Sequence, residues 1–351
     1  MNPSKGVGAG LDSLAVQSGP RKPGIFRFFA GLRQGRDSAQ KTFVFAAVSP
    51  LVLYMGFFTL FPMIWGFALA FFDYSARRVG GPLLGFGGDN PFVGLQNFTE
   101  MLNFAGDAPL NVRQFHTSIK TTLLFAALIL LLNLAISLPL AVLIESAHDR
   151  LKGFFRLFFF LPVLAPSVGV AIMWEYVYHP QRGLLNGIQT LIGGRLVGTN
   201  WTGDQSLVFL GIPVALLAVI VAYLWQDLGY NLVIFIAALQ SIPESIKDAA
   251  RIDGTSGWQM FRYIILPLLK PTILLASVLT VISAFQVFDI IQVMTDGGPN
   301  DQTRVLLLDI YNNAFRFQRM GWASAVSVVL FLAVLAISLV QTRLLRTEWE
   351  Y

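Results

Sequence analysis

Residues 241 to 271 read SIPESIKDAARIDGTSGWQMFRYIILPLLKP. Six charged side chains, Glu244, Lys247, Asp248, Arg251, Asp253 and Arg262, stand there within nineteen positions, between long stretches that carry almost no charge. Such a segment is either a solvated helical loop at a membrane surface or a helix that docks on a partner. No catalytic constellation accompanies it. The three histidines, His116, His148 and His179, are scattered, and cysteine is absent. No G-x-x-x-x-G-K-[ST] phosphate loop, H-E-x-x-H or G-x-S-x-G occurs, so neither nucleotide binding nor metal-dependent or nucleophilic hydrolysis is expected. The reading is of a non-enzyme without a cofactor of its own. Any ATP it uses is bound by another chain.

The elements that position this segment follow from composition. Of 351 residues, 55% are hydrophobic and 13% charged, against about 25% charged in a soluble protein. Charge is missing from 42–72, 121–144, 157–174, 205–226, 271–288 and 320–342. Each run is close to or above the roughly 18–20 residues that cross a bilayer as a helix. The expectation is an all-α polytopic membrane protein with six spans, the fourth long or bent and interrupted at Asp227, since 228–243 is also uncharged. Lys and Arg then set the orientation. With the N-terminus inside, the inner segments hold 16 of the 25 basic residues and the longer outer ones hold 9. N-in/C-in is expected, and it places 241–271 in the cytoplasm. The net charge of +5 reads as this topology signal, with no nucleic-acid partner implied. Along the chain, 1–40 is expected as a disordered cytoplasmic tail, 41–72 as the first span and 73–117 as an extracytoplasmic loop. A five-helix core over 118–345 and a cytoplasmic end at 346–351 complete the division.

Locally, Ser241 is expected to cap a short helix in an S-x-x-E box with Glu244, with Pro243 in its first turn and Gly254 as its left-handed stop. Ile246, Ala249, Ala250 and Asp253 fall on one thin face open to close approach. Pro267 and Pro271 fall in the first turns of the fifth span, where a kink is tolerable.

These residues carry a resemblance. "DAARIDG", nine residues, then "IILP" resembles the EAA signature of permease subunits of binding-protein-dependent ABC importers, with Asp248 in place of the usual Glu. "FVGLQNF" (92–98), "RLFFFLPVLAPSVGVAIMW" (156–174), "AALQSIPE" (237–244), "VMTDGGPNDQTRVL" (293–306) and "YNNAF" (311–315) are similar to the carbohydrate-uptake branch, to its maltose-type and glycerol-3-phosphate-type permeases. The resemblance implies the type I permease fold in the cell inner membrane and ATP-driven import of a carbohydrate. It implies four partners beyond the bilayer: a second permease subunit, two ATPase subunits and an external sugar-binding protein. It makes 242–258 a coupling helix, docking on the ATPase through Glu244, Asp248, Ala249, Ala250, Arg251, Asp253 and Gly254. Polar residues in spans four and five, Tyr230, Asn231, Thr280, Ser283, Gln286 and Asp289, with Phe285 beside them, are expected to line the path or to bond between helices. Gly297, Gly298, Pro299 and Asn300 are expected where the binding protein docks. Asp227 is expected to pair with Lys or Arg, or else to relay ions in a gradient-driven secondary transporter. The lack of an inverted repeat and the few intramembrane acids speak against that alternative.

Overall fold

The computed structural model describes residues 38–78, 89–193 and 198–345. The tail expected over 1–40, apart from its last three residues, and the end at 346–351 lie outside the described residues. The chain divides into two units, one up to Ile64 and one from Trp65.

In the first unit, α1 (Ser38–Met55) runs through a wide turn, Gly56–Leu60, into the start of α2 (Phe61–Leu69), whose residues from Trp65 on belong to the second unit; no residue of Phe43–Leu69 is charged. Its aromatic residues stack along the helix, Phe57 on Phe61 at 6.1 Å and Tyr54 against Phe58 at 5.0 Å.

The second unit holds α3 (Gln96–Met101), α4 (Leu110–Ser146), α5 (Asp149–Phe160), a 3-10 turn (Leu161–Leu164), α6 (Ser167–Val177) and α7 (Leu184–Leu191). A minimal hairpin of β1 (Val208–Phe209) and β2 (Ile212–Pro213) leads into α8 (Val214–Ser241) and α9 (Glu244–Ile252). After them come α10 (Gly257–Met260), α11 (Leu266–Leu268), α12 (Lys270–Phe285), α13 (Asp289–Met294), α14 (Leu306–Tyr311) and α15 (Met320–Leu345). Helix α8 packs along α4, and α12 lies against both α4 and α15. One apolar core is built around Phe125, Ile129, Leu216 and Val219, and a second around Ile144, Leu232, Phe235 and Leu269.

Among the described residues, four helices are long and apolar enough to cross a membrane: Phe43–Leu69, Leu110–Ser146, Val214–Ser241 and Met320–Leu344. Six spans result if two bent pairs are counted as one span each. The expected third span is broken by 100° between Leu164 and Ser167, and the fifth by 67° between Leu268 and Lys270. Proline causes the first break. Pro166 pushes Ala165 out of the helical region, to φ −76° and ψ 139°. Pro271 stands in the first turn of α12, and Pro267 in that of α11.

One expectation about the fourth span needs correction. Helix α8 runs unbroken through Asp227, because a single acid in mid-helix removes no backbone hydrogen bond. It comes close to α5 at Gly229, where a side chain would collide with the carbonyl oxygen of Phe159.

Candidate functional site

A polar cleft of about 260 Å³ opens where the two broken helix pairs meet α8. Six polar residues, Ser167, Tyr223, Gln226, Ser283, Gln286 and Asp289, line it beside Val287, Phe288 and Ile290. The break before α6 creates one wall. Its freed Ala165 carbonyl accepts a hydrogen bond from Gln226 Nε2 at 2.9 Å, which turns that amide toward the cleft's Ser167 side. The break between α12 and α13 makes the other wall, with Gln286 at the end of α12 and Asp289 at the start of α13. Tyr223 is held edge-on to buried Phe125, with ring centroids 5.3 Å apart. Hydroxyls, amides and one carboxylate converge, and no cation is among these six. That set suits a neutral, hydroxyl-bearing solute.

Ser283, Gln286 and Asp289 were expected from the sequence, whereas Ser167, Tyr223 and Gln226 were not. Only the helix break brings Ser167 beside α8. The remaining path candidates lie elsewhere. Asn231 and Thr280 are buried and bonded to each other, Asn231 Nδ2 donating to Thr280 Oγ1 at 2.7 Å. Phe285 is buried in the larger core, and Tyr230 is exposed.

Asn231 also donates to Asn133 Oδ1 at 2.9 Å, and Asn133 Nδ2 donates to Asp227 Oδ2 at 2.8 Å. One polar chain thus ties α4, α8 and α12. Asp227 pairs with this amide and not with the expected Lys or Arg; α4 offers no cation at that level, since 121–144 is uncharged. Asn133 was missed, although an Asn inside an uncharged 24-residue run was the available signal.

Helix α9 carries the charged segment on its exposed side. Glu244 pairs with Lys247 at 3.0 Å and Arg251 at 3.5 Å, and Asp248 pairs with Arg251 at 2.8 Å. The ammonium of Lys247 holds the Glu244 carboxyl below its usual range. Asp248, Ala249 and Asp253 are exposed, as is Ile252, while Ala250 is buried. Gly254 takes φ +74°. The amide of Thr255 then returns to the Ala250 carbonyl and that of Gly254 to Arg251, which closes the helix end with a paired bond motif. The start differs from expectation. Ser241 Oγ bonds back to Ala238 within α8, and Pro243 takes the N-cap position without a side-chain bond. The reciprocal capping box is instead made by Ser256 and Gln259, so the stretch 242–258 is two helices with a turn between them.

The 295–303 loop is held from below. Gly297 is buried with φ +86°, the Gly298–Pro299 peptide is cis, and Asn300 is exposed with φ +49°. Thr303 Oγ1 bonds the Gly298 carbonyl and Thr295 Oγ1, each at 2.7 Å. Arg304 bridges Asp301 at 2.7 Å and Asp309 at 3.3 Å. Burial pushes the Asp309 carboxyl up to about 6, with Arg304 pulling the other way. Thr122 of α4 accepts from the Leu306 amide at 2.9 Å and so seats the loop on the core.

Comparison with known proteins assigns the family. Residues 137–347 match the model of the binding-protein-dependent transport system inner membrane component. The chain is 34% identical over 275 residues to the sn-glycerol-3-phosphate transport system permease protein UgpA of Agrobacterium fabrum, covering 76% of this chain and 85% of that one. It is 33% identical over 255 residues to the trehalose/maltose transport system permease protein MalF of Thermococcus litoralis, covering 72% and 79%. Its fold matches, at a TM-score of 0.72 and 21% identity, a chain in the crystal structure of a bacterial alginate ABC transporter in complex with an alginate pentasaccharide-bound periplasmic protein. That likeness covers 91% of this chain and 97% of the other. The apolar spans and these matches together show a multi-pass membrane protein, and the chain belongs to the family of binding-protein-dependent transport system inner membrane components.

Proposed function

We propose that this chain is one of two permease subunits of an ATP-driven importer of a carbohydrate or sugar derivative, acting in the inner membrane without chemistry of its own. The observation that carries the reading is the hydroxyl- and amide-lined cleft at the meeting of the two broken helix pairs. Sugars offer several hydroxyl groups that such side chains satisfy in a setting with few charges. A relative named for trehalose and maltose supports the same substrate class.

The lysine and arginine bias supports an N-in/C-in arrangement, with α9 in the cytoplasm. There α9 acts as the coupling helix, its exposed Asp248, Ala249, Arg251, Asp253 and Gly254 meeting an ATPase subunit. Rigid-body motion of that subunit is passed through the helix to the spans. Ser283, Gln286 and Asp289 contact solute in the path, and the 297–300 turn meets an extracytoplasmic binding protein. Asp227, bonded to Asn133, has a structural role in this scheme and carries no ion.

The test is reconstitution with the products of neighbouring reading frames and measurement of ATP hydrolysis. Hydrolysis is expected to rise when a loaded sugar-binding protein is added. Failure of any ATPase to co-purify would overturn the reading.

A further inference from the structure

Helix α7 (Leu184–Leu191) has three distinct sides. On one, Leu184, Ile188 and Leu191 recur at helical spacing and stand exposed, Leu184 at 63% and Leu191 at 87%, with Ile192 continuing the stripe. On the second, Leu185 packs against the main core. Buried Asn186 beside it donates to the carbonyls of Pro180 at 2.9 Å and Thr199 at 3.0 Å, and accepts from Trp201 Nε1 at 3.0 Å. On the third side, Gly187 and Thr190 are exposed. A helix with one side on protein, one exposed side of small residues, and one apolar side uncovered can lie along a bilayer surface.

Its place in the chain says what covers the apolar side. Helix α6 ends at Val177, and its exposed Ile172, Met173 and Tyr176 form an apolar face that runs to its last turn. The next residue, Tyr178, donates its hydroxyl hydrogen to the Ala218 carbonyl and so pins this chain end to the first turns of α8. Both flanking helices belong to membrane-crossing candidates. Helix α7 therefore starts after six intervening residues beyond one span, and the β1–β2 hairpin leads on to the first residue of another. The hairpin turn itself presents Phe209 and Leu210, the latter 84% exposed. The level is the end of the bundle that carries the 295–303 loop, because Gln302 Nε2 bonds the Gln205 carbonyl at 3.1 Å.

We infer that α7 is an interfacial helix whose Leu184–Ile188–Leu191 stripe is seated in the headgroup and acyl boundary of the bilayer. The occupant of the stripe is lipid. The helix holds residues 178–193 down on the membrane and braces the start of α8, which supplies Tyr223 and Gln226 to the cleft.

The native chain has no cysteine, so a single-cysteine variant carries one labelling site in this chain, and the native complex treated in the same way gives the background. Ile188→Cys, Leu191→Cys and Thr190→Cys are labelled with an environment-sensitive fluorophore. The full chain, with the subunits that co-purify with it, is placed in phosphatidylethanolamine and phosphatidylglycerol vesicles. Labels at 188 and 191 are expected to be quenched by shallow doxyl-labelled lipid and to be several-fold less open to iodide than the label at 190. Equal access of iodide to all three positions overturns the inference. Shielding of 188 and 191 that appears only when a binding protein is added also overturns it and assigns the stripe to that protein. If one stripe variant fails to fold, Leu184→Cys reports on the same side.

Discussion

The side-chain amide of Asn133 lies between two partners on α8, donating to Asp227 Oδ2 at 2.8 Å and accepting from Asn231 Nδ2 at 2.9 Å. One residue on α4 thus satisfies an acid and an amide a turn apart on α8.

Asn133→Leu removes both bonds and leaves Asp227 without its amide donor. Stability in detergent should fall by about 1–3 kcal/mol, the usual cost of leaving a buried polar group unpaired. Pairing it with Asp227→Leu should recover part of the loss, read as a smaller drop in melting temperature. Strict additivity of the two changes would show that the residues are not coupled.

Gly229→Val should lower the thermal transition, because its side chain would strike the Phe159 carbonyl and the Val163 side chain. Forced overpacking of this kind costs about 1–3 kcal/mol. Gly153→Ala, where nothing lies within 4 Å of the added carbon, should leave the melting curve in place or raise it slightly, because alanine favours a helix over glycine. The contrast between the two curves is the measurement.

Gly254→Val should disturb the end of α9, since φ +74° suits glycine and costs a β-branched residue about 1–2 kcal/mol. With the coupling role proposed for α9, ATPase subunits should co-purify in lower yield and uptake should fall. The folded fraction, followed by size-exclusion chromatography, should hardly change. Normal uptake in a folded Gly254→Val protein would remove α9 from the coupling scheme.

Burial raises the Asp309 carboxyl to about 6, above its ordinary 3.8. The folded state therefore holds this proton more firmly than the unfolded state between those two values. Stability from this group is full below about pH 4 and is lost as pH rises through about 6. Asp309→Asn should flatten the dependence of melting temperature on pH over that window. Arg304→Met removes the opposing cation and should move the transition to higher pH. An unchanged pH profile in both variants would exclude Asp309 as its source.

Much of the architecture was readable because hydrocarbon permits few solutions. A charge-free run of sufficient length becomes a helix in lipid, since its backbone has no other way to satisfy its hydrogen bonds. The left-handed stop at Gly254 was readable for a similarly local reason, the freedom of glycine at positive φ. The Ser241 cap was misread because Ser241 had a closer acceptor in Ala238 of the preceding helix. The helix break at 161–166 was also missed, although Pro162 and Pro166 announced irregular backbone there. Tolerance of proline in membrane helices made a continuous span equally consistent with the sequence.

What the sequence determined by itself was therefore what local physics controls: apolar runs, helix ends, and a charge distribution along the chain. Tertiary structure alone decided which polar groups face one another. Ser167 and Gln226 are 59 residues apart, yet meet at 3.4 Å, while Asn231 and Thr280, equal to Ser283 in polarity, turn instead into a helix seam. The reason is rotation. A helix side chain's surroundings depend on how the whole helix is turned against its neighbours, and that angle is set by close packing at points such as Gly229, which stands between Asp227 and Asn231 on the same helix.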